Sequence, residues 1–495
     1  MHNDRRIWDA IVHQKSSHPE FIITSDSAGS YTWNQLFDLV EIHAKQSANK
    51  EELLVFYSDK SVHSVAVILS CVMHNKTFIP VSREQPIERV GAILESLSQR
   101  NIYDPSTGTF IEISTKNFVT KEMSFYQSIG EIFYVLFTSG STGTPKGVKI
   151  TQANMINTLE WSSHQFAWNA TDVIGIVTAF HFDISLFDLF VALTRGIRIH
   201  IFSDVLNVKI FCNEIFEIKV TSIFSTPSLF GLIAKLNDPN LISKTNLRRI
   251  ISGGDFFLPS DIIYWYQNFP GIEIYNVWGP TETTIVNTAH RITGLDIDRL
   301  KNKKNISIGQ SSREMQIIIC ESDTKPMLVV TPPNEIGEIV VVGDSVGSGY
   351  VDPKIDAQKN FISFNGTPAY RTGDLGFTAD GEIYMVGRNA NLIKYQGYRI
   401  DPREVESHLS GKFGIRNCCL VLAKNLSQIF SPVLLIELSP NSTCTVMQVK
   451  NILRSKLPKY MIPKNIIFVN SLPVNSNGKI DRNSCVSLAE MQNEK

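Results

Sequence analysis

Between about residue 130 and residue 280 the chain changes period again and again. Short β-branched and aromatic runs (EIFYVLFT, VIGIVTAF, IRIHIF, VTSIFS, LRRIISGG, IEIYNVWG) alternate with segments of helical spacing (TQANMINTLEWSSHQF, ISLFDLFVALTRG, NVKIFCNEIFEIK, PSLFGLIAKL, PSDIIYWYQNF). Several of the helical segments open on Thr, Ser or Asn, whose side chains satisfy the first free N–H groups of a helix. This alternation predicts an α/β fold, with the runs as strands of a parallel sheet and the helices packed on its faces. In such sheets ligands bind beyond the carboxyl ends of the strands, so the Gly-rich segments found there are the first candidates for a site.

The texture changes on both sides of a second boundary. From about 300 to 387, short strands with Gly punctuation (EIGEIVVVGD, DGEIYMVGR) predict a β-rich subdomain. The polar run after Gly387–Arg388 reads as a linker. Beyond it the order helix (PREVESHLSG), strands (CCLVLAK, PVLLIELS), helix (TVMQVKNILRSKL), strand (NIIFVN) predicts a compact α+β domain of about 100 residues. The expected organisation is a large N-terminal domain of parallel and mixed sheets with packed helices over 1–387, a hinge at 388–392 and a small α+β domain over 393–495. No internal repeat or low-complexity tract interrupts it.

Composition excludes some classes of function. Net charge is −1 over 495 residues, so no basic field exists to hold nucleic acid or an anionic membrane surface. The N-terminus lacks the apolar core of a secretory signal, and no run reaches the roughly 18 apolar residues of a membrane span. The seven cysteines are scattered, without CxxC spacing, which predicts reduced thiols rather than a disulfide framework or a zinc site.

The strongest local signal is TSGSTGTPKG, Thr138 to Gly147, directly after a predicted strand. Its glycines and hydroxyls give a loop rich in N–H and O–H donors, with one cation, Lys146, and such a loop can wrap a polyphosphate. It is not a Walker A loop, because Lys146 stands between Pro145 and Gly147 rather than in a GK[ST] group.

The segment resembles the phosphate loop of the adenylate-forming superfamily: adenylation domains of peptide synthetases, acyl-CoA synthetases and luciferases. Other landmarks follow in that superfamily's order: YTWNQL (31–36), FIPVSREQPIER (78–89), AFHFDIS (179–185), NVWGPTETT (276–284), YRTGDL (370–375), GRNANLIKYQGYRIDPREVE (387–406) and LPVNSNGKIDR (472–482). The resemblance implies ATP as substrate and Mg²⁺ as cofactor. It places Thr138, Ser139, Gly140, Ser141, Thr142, Gly143 and Lys146 on the phosphates, and Gly254, Asn276, Trp278, Gly279, Thr281, Asp374 and Arg388 around the nucleotide. Trp278 would stack on adenine, and Asp374 would accept from the ribose hydroxyls, as an ionised carboxylate can. Glu282 corresponds to the metal ligand, an oxygen donor suited to a hard cation. By the same resemblance Lys479 is expected to be the catalytic residue. An ammonium bridging carboxylate and α-phosphate offsets the charge that builds as two anions meet, by at most about 4 kcal/mol per contact at 4 Å and an effective dielectric near 20.

At the hinge this chain departs from the usual pattern. Ala390 stands where an acidic residue is common, and Leu392 replaces a Gln, which puts the hinge's polar contacts in doubt.

The resemblance also implies a substrate pocket lined by Asp183, Ile184, Phe187, Ser225, Ile251, Gly253, Val277, Ile285 and Val286. In amino-acid-activating members an Asp at the position of Asp183 pairs with the substrate ammonium. A fatty acid offers it no partner, and a buried unpaired carboxylate costs several kcal/mol. An acyl-CoA synthetase is therefore the second reading. A non-catalytic nucleotide binder is a third, disfavoured because Lys479, Glu282 and Asp374 are all present. The remaining lining is apolar apart from Ser225, with bulky Ile184 and Phe187 near the entrance, so the expected substrate is small, glycine or alanine. The sequence runs 13 residues past Arg482 with no carrier segment. The expectation is a monomeric cytoplasmic ligase that loads the phosphopantetheine thiol of a carrier protein in trans, with neither nucleic acid nor membrane as partner.

Overall fold

The computed structural model describes residues 6–48, 52–113, 131–138, 145–236, 238–302, 305–311, 315–321, 333–352, 360–388, 393–409, 412–424, 430–439, 442–474 and 480–493. Among them, two large sheets form the core of the N-terminal part. The first has eight strands in the order Thr288–Arg291, Glu273–Trp278, Arg249–Ser252, Ser222–Ser225, Val173–Ile176, Arg198–Ile201, Ile22–Asp26, Gly29–Thr32. Its six inner strands are parallel, and each edge is closed by an antiparallel strand. The second has six strands in the order Thr109–Glu112, Asn101–Asp104, Leu53–Ser58, Thr77–Ser82, Ile132–Thr138, Lys146–Thr151.

The second sheet corrects one expectation. EIFYVLFT does not join the sheet of the five runs that follow it. Its strand Ile132–Thr138 pairs in parallel with Thr77–Ser82 and antiparallel with Lys146–Thr151. The helix Gln152–Phe166 then carries the chain to the other sheet. An apolar strand buried on both faces carries no local mark of which sheet receives it.

Two helices fill the space between the sheets. Val62–Met73 buries ten of its twelve residues, and Asp183–Arg195 buries ten in an unbroken run, Ile184 to Leu193. Helices apolar on every side must be covered all round. Both share one apolar cluster with Leu54, Phe56, Phe78 and Tyr134 of the six-stranded sheet and Ile174, Ile176, Ile199 and Ile201 of the eight-stranded one. Capping is as the sequence predicts at Thr151, which forms a reciprocal capping box with Asn154, and at Asn207, which accepts from Ile210 N–H.

Residues 307–388 supply the β-rich part, an antiparallel sheet ordered Ser307–Gly309, Glu382–Arg388, Thr367–Ala379, Gly337–Gly343, Met315–Cys320, with Phe361–Phe364 beside Thr367–Ala379. The small C-terminal α+β domain has its own core. Strands Ile415–Lys424, Phe430–Leu438 and Asn465–Val469 pack against the helices Pro402–Ser407, Val446–Lys456 and Arg482–Asn493. A hairpin, Ile393–Tyr395 and Tyr398–Ile400, precedes it, and the sequence reading had seen neither this hairpin nor the last helix. All seven cysteines are free thiols. No helix among the described residues is long and apolar enough to cross a membrane.

Candidate active site

Strand order fixes where a ligand can sit. The chain passes from Val173–Ile176 to Arg198–Ile201 on one side, then returns to Ser222–Ser225 on the other. The crevice of such a sheet opens at this reversal, beyond the carboxyl ends. The segment that leaves Val173–Ile176 there delivers Asp183 as the first residue of the helix Asp183–Arg195. A helix N-terminus carries partial positive charge and favours a carboxylate. Burial nevertheless raises the Asp183 pKa above the usual 3.8, and the hydrogen bond from Thr281 works the other way.

That hydrogen bond comes from the next strand end. Glu273–Trp278 runs into Gly279–Pro280 and a tight turn, Thr281–Thr283. Gly279 is required there: a Cβ would lie 2.5 Å from the Ile285 carbonyl oxygen, because the chain doubles back on itself. Thr284 and Ile285 hold the reversal with φ of 63° and 75°. Thr284 Oγ1 donates to the Ser345 carbonyl at 2.7 Å, and Gly347 N–H donates to the Glu282 carbonyl at 2.9 Å. Pinned this way, the turn sends Thr281 Oγ1 to Asp183 Oδ2 at 2.6 Å. The sequence reading had assigned Thr281 to the nucleotide; in this structure its hydroxyl serves Asp183.

Glu282, 1% exposed, accepts from the Tyr350 hydroxyl at 3.0 Å, and Tyr350 lies 3.3 Å from the Tyr370 hydroxyl. Lys146 Nζ sits 5.6 Å above the Tyr350 ring. Thr138 and Lys146 face each other across the antiparallel pair Ile132–Thr138 and Lys146–Thr151. Val351 N–H bonds the Gly147 carbonyl at 2.7 Å, which ties that pair to the Tyr350 segment. Trp278 Nε1–H donates to Asp374 Oδ2 at 3.0 Å. The ring and the carboxylate assigned to adenine and ribose are therefore one hydrogen-bonded unit, with Trp278 only 4% exposed. Arg388 pairs with Asp374 through the backbone ladder.

The pocket residues converge on the same strand ends. Gly253 N–H bonds the Ser225 carbonyl at 3.1 Å, and a Cβ on Gly253 would lie 2.6 Å from Val277 Cγ2. Gly254 (φ 83°) lies against Ile184, whose Cδ1 is 3.9 Å from where a Cβ would stand. Phe187 is fully buried, edge-on to Phe224 at 5.5 Å and to Phe166 at 6.2 Å. Ile251, Val277, Ile285 and Val286 are buried in the same cluster. Asn276 is spent on the Ser307 carbonyl at 2.9 Å. Ser139, Gly140, Ser141, Thr142, Gly143, Ala390 and Lys479 lie outside the described residues.

Residues 11–351 match the AMP-binding enzyme family. The chain belongs to that family. It is 27% identical to the D-alanine--D-alanyl carrier protein ligase of Bacillus licheniformis, over 96% of this chain and 98% of that one. Among solved structures, the Vibrio cholerae adenylation domain AlmE in complex with glycyl-adenosine-5'-phosphate shares its fold. The TM-score is 0.82 at 18% identity, over 99% of this chain and 98% of that one. So does the o-succinylbenzoate CoA synthetase of Bacillus subtilis, with TM-score 0.79 at 20% identity over 96% and 97%.

Within this family member, several buried polar groups were not picked out individually from the sequence. Tyr350 and Tyr370 are two; only the Gly-rich stretch GDSVGSGY hinted at the first. Tyr134 is another: burial and the Asp183 charge push its phenol well above the ordinary value, and its hydroxyl has no hydrogen-bond partner among the described residues. Thr178 Oγ1, His181 Nδ1 and Ser252 Oγ, the last at the end of Arg249–Ser252, also lack hydrogen-bond partners among the described residues, and burial lowers the His181 pKa to about 4. Buried polar groups normally find partners, so each of these is a candidate contact for a polar ligand.

The donor set also fits Mg²⁺. No group of three or more His, Cys, Asp or Glu side chains forms a cage among the described residues. Mg²⁺ needs none when one or two carboxylates and substrate phosphates supply the protein-side and ligand-side oxygens. A single buried Glu282 on a pinned turn suits that mode.

The C-terminal domain closes over this edge. Tyr398 stacks on Tyr460 at 3.9 Å and meets Phe182, next to Asp183, at 5.2 Å. Gly397 N–H donates to Asp255 Oδ2 at 3.4 Å. Arg89 and Glu404 form an ion pair between the two domains with side chains 4% and 0% exposed.

Proposed function

We propose that this AMP-binding enzyme activates a small amino acid with ATP and loads it onto the phosphopantetheine thiol of a carrier protein acting in trans. D-alanine is the foremost candidate and glycine the next. The observation that carries the reading is Asp183, a buried carboxylate at the head of a helix, held by a neutral hydroxyl and in no ion pair among the described residues. Burying an ionisable carboxyl is costly unless a cation meets it. The ammonium of an amino acid is that cation, and an acyl-CoA synthetase acting on a fatty acid has none to offer. Two similarities support a small side chain: the Bacillus licheniformis relative is a D-alanyl carrier protein ligase, and AlmE holds glycyl-adenylate.

In the first half-reaction a carboxylate oxygen of the amino acid attacks the α-phosphorus of ATP, the bond to the bridging oxygen breaks, and pyrophosphate leaves. Asp183 holds the ammonium; Lys479 bridges carboxylate and α-phosphate; residues 138–146 wrap the leaving phosphates. Glu282 is the residue to hold Mg²⁺, which offsets phosphate charge when bound. Asp374, oriented by Trp278, takes the ribose hydroxyls. In the second half-reaction the thiol attacks the acyl carbon and loses its proton, a thioester forms, and AMP leaves. One domain pose cannot both present Lys479 and admit a thiol, so the domain beyond residues 388–392 rotates about Ala390. The test is pyrophosphate exchange across glycine, D- and L-alanine, valine, leucine, phenylalanine and a long-chain acid. Best exchange with D-alanine or glycine is expected; best exchange with phenylalanine, leucine or the long-chain acid overturns the substrate reading.

A further inference from the structure

The amino ends of the same parallel strands carry a second concentration of chemistry, a strand's length from the candidate active site. Arg248 and Arg249 enter the strand Arg249–Ser252, Glu273 opens Glu273–Trp278, and Arg291 ends Thr288–Arg291 beside it. With Asn169 and Gly271 they line a cavity of about 380 Å³. We infer that this cavity binds an oxyanion of the phosphate class, apart from the catalytic site.

The argument starts from how the local charges are shared. Asp172 is saturated. Its Oδ1 accepts from Arg248 Nε at 3.1 Å and Nη2 at 2.5 Å and from Thr221 Oγ1 at 2.8 Å, and its Oδ2 accepts from Asn169 N–H at 3.0 Å. Glu273 Oε1 is taken by Arg291 Nη2 at 2.9 Å. Among the described residues Arg249 is left with long ion contacts only, 3.9 Å to Asp172 and 3.5 Å to Glu273. Its guanidinium lies 4.7 Å over the Trp168 ring, its side chain is 5% exposed, and among the described residues neither Nε nor Nη1 has a hydrogen-bond partner.

A buried guanidinium with unmade hydrogen bonds is costly. Arg249 keeps that cost on the floor of a cavity whose rim carries two further guanidiniums. Three arginines face two acids, which leaves one positive charge unmatched. Planar N–H forks suit phosphate and carboxylate oxygens. Space for a ligand exists because nothing lies within 4 Å of where a Cβ on Gly271 would stand.

The experiment is a thermal-shift titration of the full chain with inorganic phosphate at fixed ionic strength. Saturating ATP and Mg²⁺ are present, without amino acid, so that the catalytic phosphate contacts are already occupied. Wild type is expected to show a saturable rise in melting temperature. Asn169→Asp places a negative charge in the cavity while keeping the side-chain oxygen that accepts from Thr171 N–H at 2.9 Å; it should abolish the rise. Arg291→Gln, at a side chain 60% exposed, should weaken apparent affinity about tenfold, the scale of one lost charge-assisted hydrogen bond. Both positions are exposed, and melting curves without phosphate confirm that the variants fold. No saturable shift in wild type overturns the inference, as does an equal shift in wild type and Asn169→Asp. Neither result bears on adenylation, which the exchange assay reads separately.

Discussion

The two edges of the eight-stranded sheet are built from opposite charges. At the amino edge, Arg198, Arg248, Arg249 and Arg291 stand with Asp172 and Glu273, largely as ion pairs. At the carboxyl edge, Asp183, Glu282 and Asp374 are buried, and each accepts from a neutral donor: the Thr281 hydroxyl, the Tyr350 hydroxyl and the Trp278 indole. The edge proposed to receive a triphosphate is thus lined by acids. Asp183, in no ion pair among the described residues, keeps its charge for an incoming cation, whereas the ion-paired groups of the amino edge have largely spent theirs. On this reading the carboxyl edge recognises ammonium, metal and ribose, and the cations for the phosphates come from loops and from the other domain.

The sharpest way to break that division is to remove Lys479, the cation proposed to come from the other domain. Lys479→Ala should lower pyrophosphate exchange at least a hundredfold, about 3 kcal/mol of transition-state stabilisation, while ATP still binds. A variant that keeps more than half of wild-type exchange would show that the acidic edge needs no such cation.

Asp183→Asn comes next. Loss of the ammonium's partner should reduce kcat/KM for the amino acid some tens of fold, chiefly through KM. The pH dependence has a defined sign. Burial raises the Asp183 pKa above 3.8, so wild-type kcat/KM should fall as pH drops through that raised value, and this limb should be missing in Asp183→Asn. The stability effect runs the other way. A carboxyl with raised folded pKa costs stability as pH rises from its unfolded value through its folded one. Without ligand, Asp183→Asn should therefore melt above wild type at pH 7 and converge with it near pH 4. Equal melting at both values would mean that Asp183 finds a cation in the free enzyme.

Phe187→Ala probes pocket depth. The ring is fully buried between Phe166 and Phe224, so the variant should shift preference toward valine or leucine by about tenfold, because an apolar pocket discriminates by about 1–3 kcal/mol per methylene. Its thermal stability should also fall, as for a large cavity in a core. An unchanged ranking of substrates would remove Phe187 from the specificity set.

These tests rest unevenly on sequence and structure. Periodicity supplied the strands and helices from 130 to 280, the β-rich stretch and most of the C-terminal domain, because buried runs and amphipathic segments are local signals. Membership of Ile132–Thr138 in the second sheet was not legible, since pairing partners are set by distant residues. The candidate site was legible as a set of motifs, but its wiring was not. Nothing near Thr281 in the chain says that its hydroxyl reaches Asp183, 98 residues away, or that Trp278 holds Asp374 across 96. The arginine cavity was missed because Arg248, Glu273 and Arg291 follow no motif and meet only through the register of three strands.

The smallest expected effect is the one that separates the two edges most cleanly. Arg291→Gln removes a guanidinium whose side chain is 60% exposed and whose ion pair with Glu273 is 31% exposed on the acid's side. Partly exposed pairs of this kind contribute about 0–1 kcal/mol, so melting without phosphate should change little. If the amino edge is a separate site, pyrophosphate exchange should stay within about twofold of wild type, since less than about 0.5 kcal/mol would reach the reacting groups. Exchange at several amino acid concentrations is the measurement, because KM and kcat report different routes of influence. A changed KM would mean that the charge at the amino edge reaches Asp183 through the packed rings Trp168, Phe166 and Phe187, whose centroids are 5.6 and 6.2 Å apart. The two edges would then be one coupled system rather than two sites sharing a sheet.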